Sequence, residues 1–591
     1  MEVYFHLINQ PDEVAKACSE LRSVEILGFD TETTELDPYR GDIRLIQFST
    51  GKGATIFDLK PFKERGDLRK DPALAPLRDL ISDPTRTKIA HNAKFDAKWV
   101  RHHLGCELGG VFDTYLASQL IAAGDTERRH SLADAAQYFT GTELDKSQQV
   151  SNWGSVELSQ SQIEYAARDA AILIPLREKM AERLGIDDLE RVARLEFECV
   201  APIAEMELNG FFLDESRWRE QLEKAKTAQA AASNELQDML SAGVAQATLF
   251  GRAEVNLDSQ AQVTAALVNL GVPVPDSTRA WQLQPLADQY PVIAKLLEYR
   301  GVQKSITSFG ENILEYIEPA TGRIHADFRQ IGAPTGRFSC SNPNLQQIPH
   351  EPQYRRCFRA PEGRKLVIAD YSQIELRILA DFSNDQKFID AFISGEDFHT
   401  TTAAQVFNVD PNSVTADQRS FAKRLNFGVV YGIGAQRFGL MTGLSQNEAE
   451  TTLRKYFSTY RGLDAWLREA ASTVTTERIA RTGSGRMVRF RFDENDRQQV
   501  ASAQRNAKNM PIQGTSADIL KRALRLLHDS IRDTSVRLVN IVHDEIIVEC
   551  DGSDAETAAM QLETAMVKAG EEYVKRVPIK VDVHIADEWT K

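Results

Sequence analysis

Leu366-Val367-Ile368-Ala369-Asp370-Tyr371-Ser372-Gln373-Ile374-Glu375 is an apolar run that ends in an acid and passes straight into helical spacing, the pattern of a buried strand feeding a helix. Its counterpart lies more than 170 residues downstream. There Val542-His543-Asp544-Glu545-Ile546 separates two alternating runs, Arg537 to Ile541 and Ile546 to Glu549, and Asp544 falls at the tip of a hairpin. Either acid alone is ordinary turn polarity; together they become a candidate metal site only if their strands pair. The text between them, from about 383 to 530, is largely helical. The reading is an α+β unit whose sheet carries a long helical excursion.

Upstream, the chain is organised differently. Val24 to Phe29, Arg44 to Ser49 and Ala54 to Leu59 read as short strands, and a strand at Lys88 to Ala90 runs into a helix over Phe95 to Leu104. Helical spacing from Ser159 to Leu184 stops at Gly185, the expected C-cap, which closes an α/β unit over 1–186. From about 190 to 310, Ala, Glu, Gln and Lys dominate two long helical patterns, Glu215 to Leu240 and Val292 to Phe309, a helical arm. At about 150 residues per domain, 591 residues suggest roughly four core-sized units.

Bulk composition narrows the class. With 42% hydrophobic and 26% charged residues the chain is an ordinary folded protein. Lys and Arg number 70 against 85 Asp and Glu, a net −15 that taken globally argues against a nucleic-acid coat or a polybasic membrane binder. Six scattered cysteines without a C-x-x-C pair read as reduced thiols. The first residues lack a basic-then-apolar leader, and no apolar window is long enough to span a membrane, so a cytoplasmic protein without a targeting segment is expected.

Two side-chain constellations carry chemistry. In Phe29-Asp30-Thr31-Glu32-Thr33, strand alternation puts Asp30 and Glu32 on one face. Asp96 follows at a strand-to-helix junction, Asp113 in Phe112-Asp113-Thr114, and Tyr165 and Asp169 stand i and i+4 on one helix. Singly, Asp96 and Asp113 read as N-caps and Tyr165 as core. Together they supply carboxylates for two metals about 4 Å apart and a phenol to orient attacking water, the needs of hydrolytic phosphoryl transfer. In the second constellation Arg419, Lys423, Phe427 and Tyr431 recur every four residues, one gently winding helical stripe. Two cations suit a triphosphate, and two rings suit a base or sugar.

The order Asp-x-Glu, Asp, Tyr-x-x-x-Asp resembles the proofreading 3′–5′ exonucleases of the DEDD superfamily, DEDDy type. This implies a ribonuclease H-like sheet with Asp30, Glu32, Asp96 and Asp169 as metal ligands, Tyr165 assisting, and Leu36 wedged against the terminal base. The C-terminal segments resemble motifs A, B and C of family A DNA polymerases, the group of bacterial DNA polymerase I, and Thr335-Gly336-Arg337, Pro343-Asn344-Leu345-Gln346 and Glu396-Asp397-Phe398-His399 stand in the family's order. The resemblance covers essentially the whole chain and has the extent of a polymerase I fragment without the 5′ nuclease domain. It implies an α+β right-hand polymerase domain over 187–591: thumb about 187–315, palm about 316–382 and 505–591, fingers about 383–504.

Carried over by position, Asp370 and Asp544 resemble the palm's metal ligands, and His399, Arg419 and Lys423 the triphosphate contacts, with Lys423 also protonating pyrophosphate. Phe427 and Tyr431 line the nucleotide pocket, and Glu375 is the gate against a ribose 2′-hydroxyl. Arg337, Asn344, Gln346, Arg505, Asn509, Gln513 and His543 match primer–template contacts, while Glu545 only orients the site. The resemblance implies two Mg²⁺ per active site, with Mn²⁺ as substitute, and primer–template DNA and dNTPs as partners of a monomer. It places the protein in DNA replication or repair, in a bacterial cytoplasm or encoded by a phage or plasmid, or in an organelle once a presequence is removed. Gln504, Ile541, Phe338 and Cys340 depart from the family's usual residues near the primer–template contacts, and Phe427 in place of Tyr implies poor use of dideoxynucleotides. A nuclease with a degenerate C-terminal half is disfavoured because Asp370, Lys423 and Asp544 are all present.

The net charge hides a segregation. Pro319 to Lys365 holds eight basic and three acidic residues, and Arg478 to Lys508 again eight and three. Affinity for a primer–template duplex is therefore expected to fall steeply with salt despite the acidic pI. Titrations at several salt concentrations should give a log–log slope corresponding to several phosphate contacts.

Overall fold

The computed structural model describes residues 3–51, 53–241, 254–274, 277–349, 351–395, 397–430 and 432–590. The N-terminal unit is built on six strands: β1 (Phe5–Ile8), β2 (Ile26–Thr33), β3 (Ile43–Ser49), β4 (Ala54–Asp58), β5 (Thr87–Ala90) and β6 (Val111–Asp113). They lie in the order β1-β4-β3-β2-β5-β6. The meander β2-β3-β4 is antiparallel, whereas β1 joins β4 and β5 and β6 extend from β2 in parallel. Every residue of β3 is buried because helices cover both faces. Ile46 and Phe48 pack in one cluster with Trp99 and Val100 of helix Ala93–Leu104, and Leu45 packs in another with Tyr165, Ala166 and Ala167 of helix Gln160–Ile186. Gly28 permits this second helix to settle on the sheet: a Cβ there would run into the Ala170 carbonyl.

The C-terminal half has its own sheet, from β7 (Arg364–Tyr371), β8 (Arg537–Val542), β9 (Glu545–Asp551) and β10 (Val581–Ala586), all antiparallel in the order β8-β9-β7-β10. Helices Arg497–Ile531 and Ala555–Tyr573 share a core with it, Leu524 and Leu527 of one and Leu562 and Met566 of the other joining Leu366 to Ala369. The Tyr371 hydroxyl donates to the Met566 carbonyl at 2.7 Å, pinning the end of β7 to the second helix. Trp589 closes the core. It is fully buried, edge-on to Phe358 at 5.8 Å, and beneath the Arg355 guanidinium at 4.3 Å.

Helices Glu215–Ser241 and Pro291–Phe309 form the arm. They run antiparallel, since Gln229 reaches Gln303 while Glu235, further along, reaches Lys295, earlier in its helix. The excursion between β7 and β8 carries helices Phe398–Phe407, Ala416–Val430, Ala435–Thr442, Gln446–Thr459 and Arg461–Glu477, then a hairpin Ile479–Arg481/Met487–Arg489.

Three local expectations change. Gly185 is no C-cap: the helix runs through it to Ile186, and Asp188 takes the left-handed turn at φ 52°. β2 extends to Thr33, so Asp30 and Glu32 lie inside the strand. Strands β1, β6 and β10 carry no strong signal in the sequence; each is short and gains its identity from the strand beside it.

Truncating Trp589 removes the largest buried ring beside the second sheet. Trp589→Ala is expected to cost about 3–5 kcal/mol, measured as a lowered midpoint of chemical unfolding of the C-terminal half.

Candidate functional site

In the N-terminal unit four acids converge from three elements. Asp30 and Glu32 project from alternate positions of β2, and Asp169 comes from helix Gln160–Ile186. Asp96 sits in the first turn of helix Ala93–Leu104 rather than at its cap, where Asn92 turns the chain at φ 63°. The Thr31 hydroxyl donates to Asp96 Oδ1 at 2.7 Å, tying β2 to that helix. Asp113 has the other role: its carboxylate accepts from the backbone of Asn92, Ala93, Tyr115 and Leu116, so it caps and braces at the wall of the same cavity.

The cluster is electrostatically frustrated. Burial, then the charges of Glu32, Asp96 and Asp169, hold the Asp30 carboxyl well above its usual range; burial, then Asp169 and Asp96, do the same to Glu32. Burial brings Asp96 to about 7 and Asp169 to about 6. The Tyr165 ring packs in the core beside Trp153 while its hydroxyl reaches Asp169, and burial followed by that carboxylate raises its pKa. Leu36 is 83% exposed at the rim of the cavity the acids line, so it is not a packed core residue. That cavity, about 1090 Å³, is walled on another side by Asp327 to Gln330 and Asn342 of the C-terminal half. Among the described residues no three His, Cys, Asp or Glu side chains are grouped so that they alone hold an ion. An open carboxylate cluster whose members repel each other fits hard divalent cations that take the rest of their oxygens from substrate and water.

The second cluster depends on strand pairing. β7 pairs with β9 from Arg364↔Asp551 to Asp370↔Glu545, and the β8–β9 turn places His543 and Asp544 beside it. His543 adopts φ 57°, and the Asp544 carbonyl accepts the Tyr371 amide at 3.4 Å. Asp370 and Asp544 thus meet at one sheet end. Glu545 is buried and held by the Trp589 indole N–H at 2.8 Å, with the Arg355 guanidinium 3.9 Å away. Arg355 went unread in the sequence. It is buried under these acids, and burial lowers its pKa while Glu545 and Asp370 work against that. Its only sequence signal is a cation beside an aromatic in Tyr354-Arg355-Arg356.

On helix Ala416–Val430, Lys423 is exposed without an acid partner among the described residues, and Phe427 is half-buried, its ring centroid 5.7 Å from that of His399. Tyr431 lies outside the described residues. Arg419 is already taken by Asp397, at 2.6 and 3.1 Å. Burial opposes the ionised form of Asp397, yet the Arg419 and Thr400 hydrogen bonds bring it to about 2. His399 is buried, and that burial, with Arg419 and Lys423 nearby, lowers it to about 4. Near neutral pH it therefore brings a neutral imidazole, accepting from the Asn426 amide at 3.0 Å. Glu375, in the first turn of helix Ile374–Ser383, is paired with Arg337.

The cations of the stretch Pro319 to Lys365 are mostly paired within the chain. Arg323, Arg337, Arg355, Arg356, Arg359, Arg364 and Lys365 all face acids, and only Arg329 lacks an acid partner among the described residues. Arg497 and Arg505 are exposed and have no acid partner among the described residues. Arg505, Asn509 and Gln513 rise at four-residue steps along helix Arg497–Ile531. Asn344 caps the turn Leu345–Gln347 through the Gln346 amide at 3.1 Å.

The sequence model of DNA polymerase family A matches residues 224–591, and that of the 3′–5′ exonuclease matches residues 5–185. DNA polymerase I of Aquifex aeolicus is 32% identical, across 99% of this chain and 100% of that protein. DNA polymerase I of Pseudomonas aeruginosa is 31% identical across 96% of this chain but only 64% of that protein. The solved structure titled the POL domain of Pol1 from M. smegmatis in complex with DNA primer-template and dNTP superimposes with a TM-score of 0.84 at 26% identity, covering 99% of both chains. Fold and site define a DNA-directed DNA polymerase with an attached 3′–5′ exonuclease domain. The chain belongs to DNA polymerase family A. Among the described residues no helix is long and apolar enough to cross a membrane.

The raised carboxyls give a pH signature. In the unfolded chain these groups titrate near 4, but in the fold they keep protons toward about 7. Between those values the folded state binds more protons, so metal-free stability falls as pH rises through the window. With chelator, the N-terminal unit should melt lower at pH 8 than at pH 5. A divalent cation should raise the melting temperature more at pH 8, and Asp30→Ala with Glu32→Ala should flatten both responses, as followed by thermal melts.

Proposed function

We propose that this chain extends primer 3′ ends with dNTPs at Asp370 and Asp544 and removes mispaired ends at Asp30, Glu32, Asp96 and Asp169, as a monomer in the cytoplasm, in replication or repair. The β7–β9 pairing that brings Asp370 beside the Asp544 turn carries the reading. Residues 1–186 act as the exonuclease, and 187–591 as thumb (about 187–315), palm (about 316–382 and 505–591) and fingers (about 383–504). Two Mg²⁺ per site, replaceable by Mn²⁺ and held by these carboxylates, would supply the Lewis acidity that activates the attacking oxygen and neutralises the leaving one.

The chain's own residues do the rest. Lys423, exposed and unpaired by acid among the described residues, binds the triphosphate and gives a proton to departing pyrophosphate. Arg419 joins by exchanging Asp397 for phosphate, a swap between two charge-assisted forks. His399 contributes a neutral hydrogen bond, not a charge. Phe427 and Tyr431 receive the base and sugar, and Glu375 occupies the space a 2′-hydroxyl would need. Arg337, Asn344, Gln346, Arg505, Asn509, Gln513 and His543 hold the primer–template. In the exonuclease cavity the Tyr165 hydroxyl orients water and Leu36 wedges the terminal base, which its exposure at the rim allows.

Assays with end-labelled primer–template, Mg²⁺ and dNTPs separate the two sites. Asp370→Ala should lower extension by about 10³-fold or more while sparing degradation, and Asp30→Ala with Glu32→Ala should do the reverse. Extension that survives the first change overturns the palm assignment; degradation that survives the second overturns the exonuclease one.

A further inference from the structure

Outside both sites lies a buried group of four charges. Glu196, on helix Glu190–Glu198, accepts from Arg486 Nη2 and Lys521 Nζ, each at 2.5 Å. Asp518, on the same long helix as Lys521, accepts from Arg486 Nε and Nη2 at 3.1 and 2.7 Å and from the Thr482 hydroxyl at 2.7 Å. The Ser484 hydroxyl also donates to it. All four charged side chains are at most 2% exposed. Two acids and two cations leave the group neutral, yet burying four charges is costly and gives little net stability compared with apolar packing. Its worth lies in what it holds.

It holds the Thr335-Gly336-Arg337 loop. Lys521 Nζ donates to the Gly336 carbonyl at 2.7 Å and lies 5.1 Å from the centre of the Phe338 ring. Gly336 has φ 83°, and a Cβ on it would meet the Arg486 guanidinium, so the loop backbone rests directly on that plane. The loop is closed on itself by Gly332 N–H to the Arg337 carbonyl at 2.9 Å. One residue beyond Gly336, Arg337 pairs with Glu375. At the far side, Gln330, which lines the exonuclease cavity, donates its amide to the Glu196 carbonyl and carboxylate at 2.9 and 3.0 Å.

We propose that Glu196, Arg486, Asp518 and Lys521 are positioning residues that fix the Gly336 carbonyl and, through Arg337, aim the Glu375 carboxylate, thereby setting how strictly the polymerase site rejects ribonucleotides and mismatched primer ends. This rests on the reading of Arg337 and Glu375 given above. None of the four needs to touch substrate. They act by denying the loop a second position, so their loss should widen what is accepted rather than stop the chemistry.

The test uses the full chain and compares Glu196→Gln with Lys521→Met, Lys521→Arg and Glu375→Ala. The double change removes one charge of each sign and leaves the Arg486–Asp518 pair intact. Thermal melts establish folding. Single-turnover extension is then measured with dNTP and rNTP, on matched and mismatched primer ends. The double variant should extend matched primers with dNTP within about tenfold of the parent, while its rNTP-to-dNTP ratio and mismatch extension rise at least tenfold. Lys521→Arg, which keeps the charge, should return most of the discrimination. Unchanged ratios in a folded double variant, or a loss equal for every substrate, overturn the proposal. Should the double variant not fold, Glu196→Gln alone decides, since it keeps the volume but removes the charge that anchors Lys521: a shift in the ratios of threefold or more supports the proposal, and none overturns it. Glu375→Ala tests the underlying reading: relaxed sugar choice there with none in the double variant sinks only the tetrad's role, and strict sugar choice in Glu375→Ala sinks both.

Discussion

The antiparallel pairing of β7 with β9 closes a loop of more than 170 residues, from Asp370 to Asp544. Loop closure grows only slowly with length, so an excursion of this size is thermodynamically tolerable once the sheet and its helices bury enough apolar surface. The register fixes Asp370 opposite Glu545, and the Tyr371 amide holds the Asp544 carbonyl, so the two acids are placed by the sheet and not by the helices Phe398–Phe407 to Arg461–Glu477. The helical excursion is thus hung from a rigid frame. Trp589 and Arg355 fill the space beneath Glu545 and stop the frame from sliding.

The two carboxylate clusters are built on opposite principles. In the N-terminal unit one buried and three half-buried acids hold raised pKa values, and Arg168, beside Asp169, is the only cation among the leading causes working against the rise, which leaves a stored demand for positive charge. At the second sheet Arg355 stands among the acids and meets part of that demand within the chain. A similar economy runs through the surface, where Arg419 is masked by Asp397 and most cations of Pro319 to Lys365 by acids far away in sequence.

What was legible in the sequence was periodic. Alternation put Asp30 and Glu32 on one face, i, i+4 spacing joined Tyr165 to Asp169, and the runs at Leu366 and Val542 announced strands ending in acids. What was not legible depended on long-range partners. The charge of Arg364 looks the same on paper whether it faces solvent or Glu549, and the buried His399 cannot be told from an exposed one. Gly185 resembles a cap because glycine is common at helix ends, but packing of Leu184 and Leu189 carries the helix past it. β10 is six residues long and becomes a strand only against β7.

Gly28 bears no charge and faces no substrate, yet it sets the spacing between β2, with Asp30 and Glu32, and the helix that carries Asp169. A methyl group there would press on the Ala170 carbonyl and pry one wall of the acid cluster from the other. A misplacement of about 1 Å can cost roughly a hundredfold in rate. In a genetic screen for mutators, lesions of editing would therefore not be confined to the acidic codons. A silent-looking glycine-to-alanine change, one residue away from the buried Phe29, would belong among them.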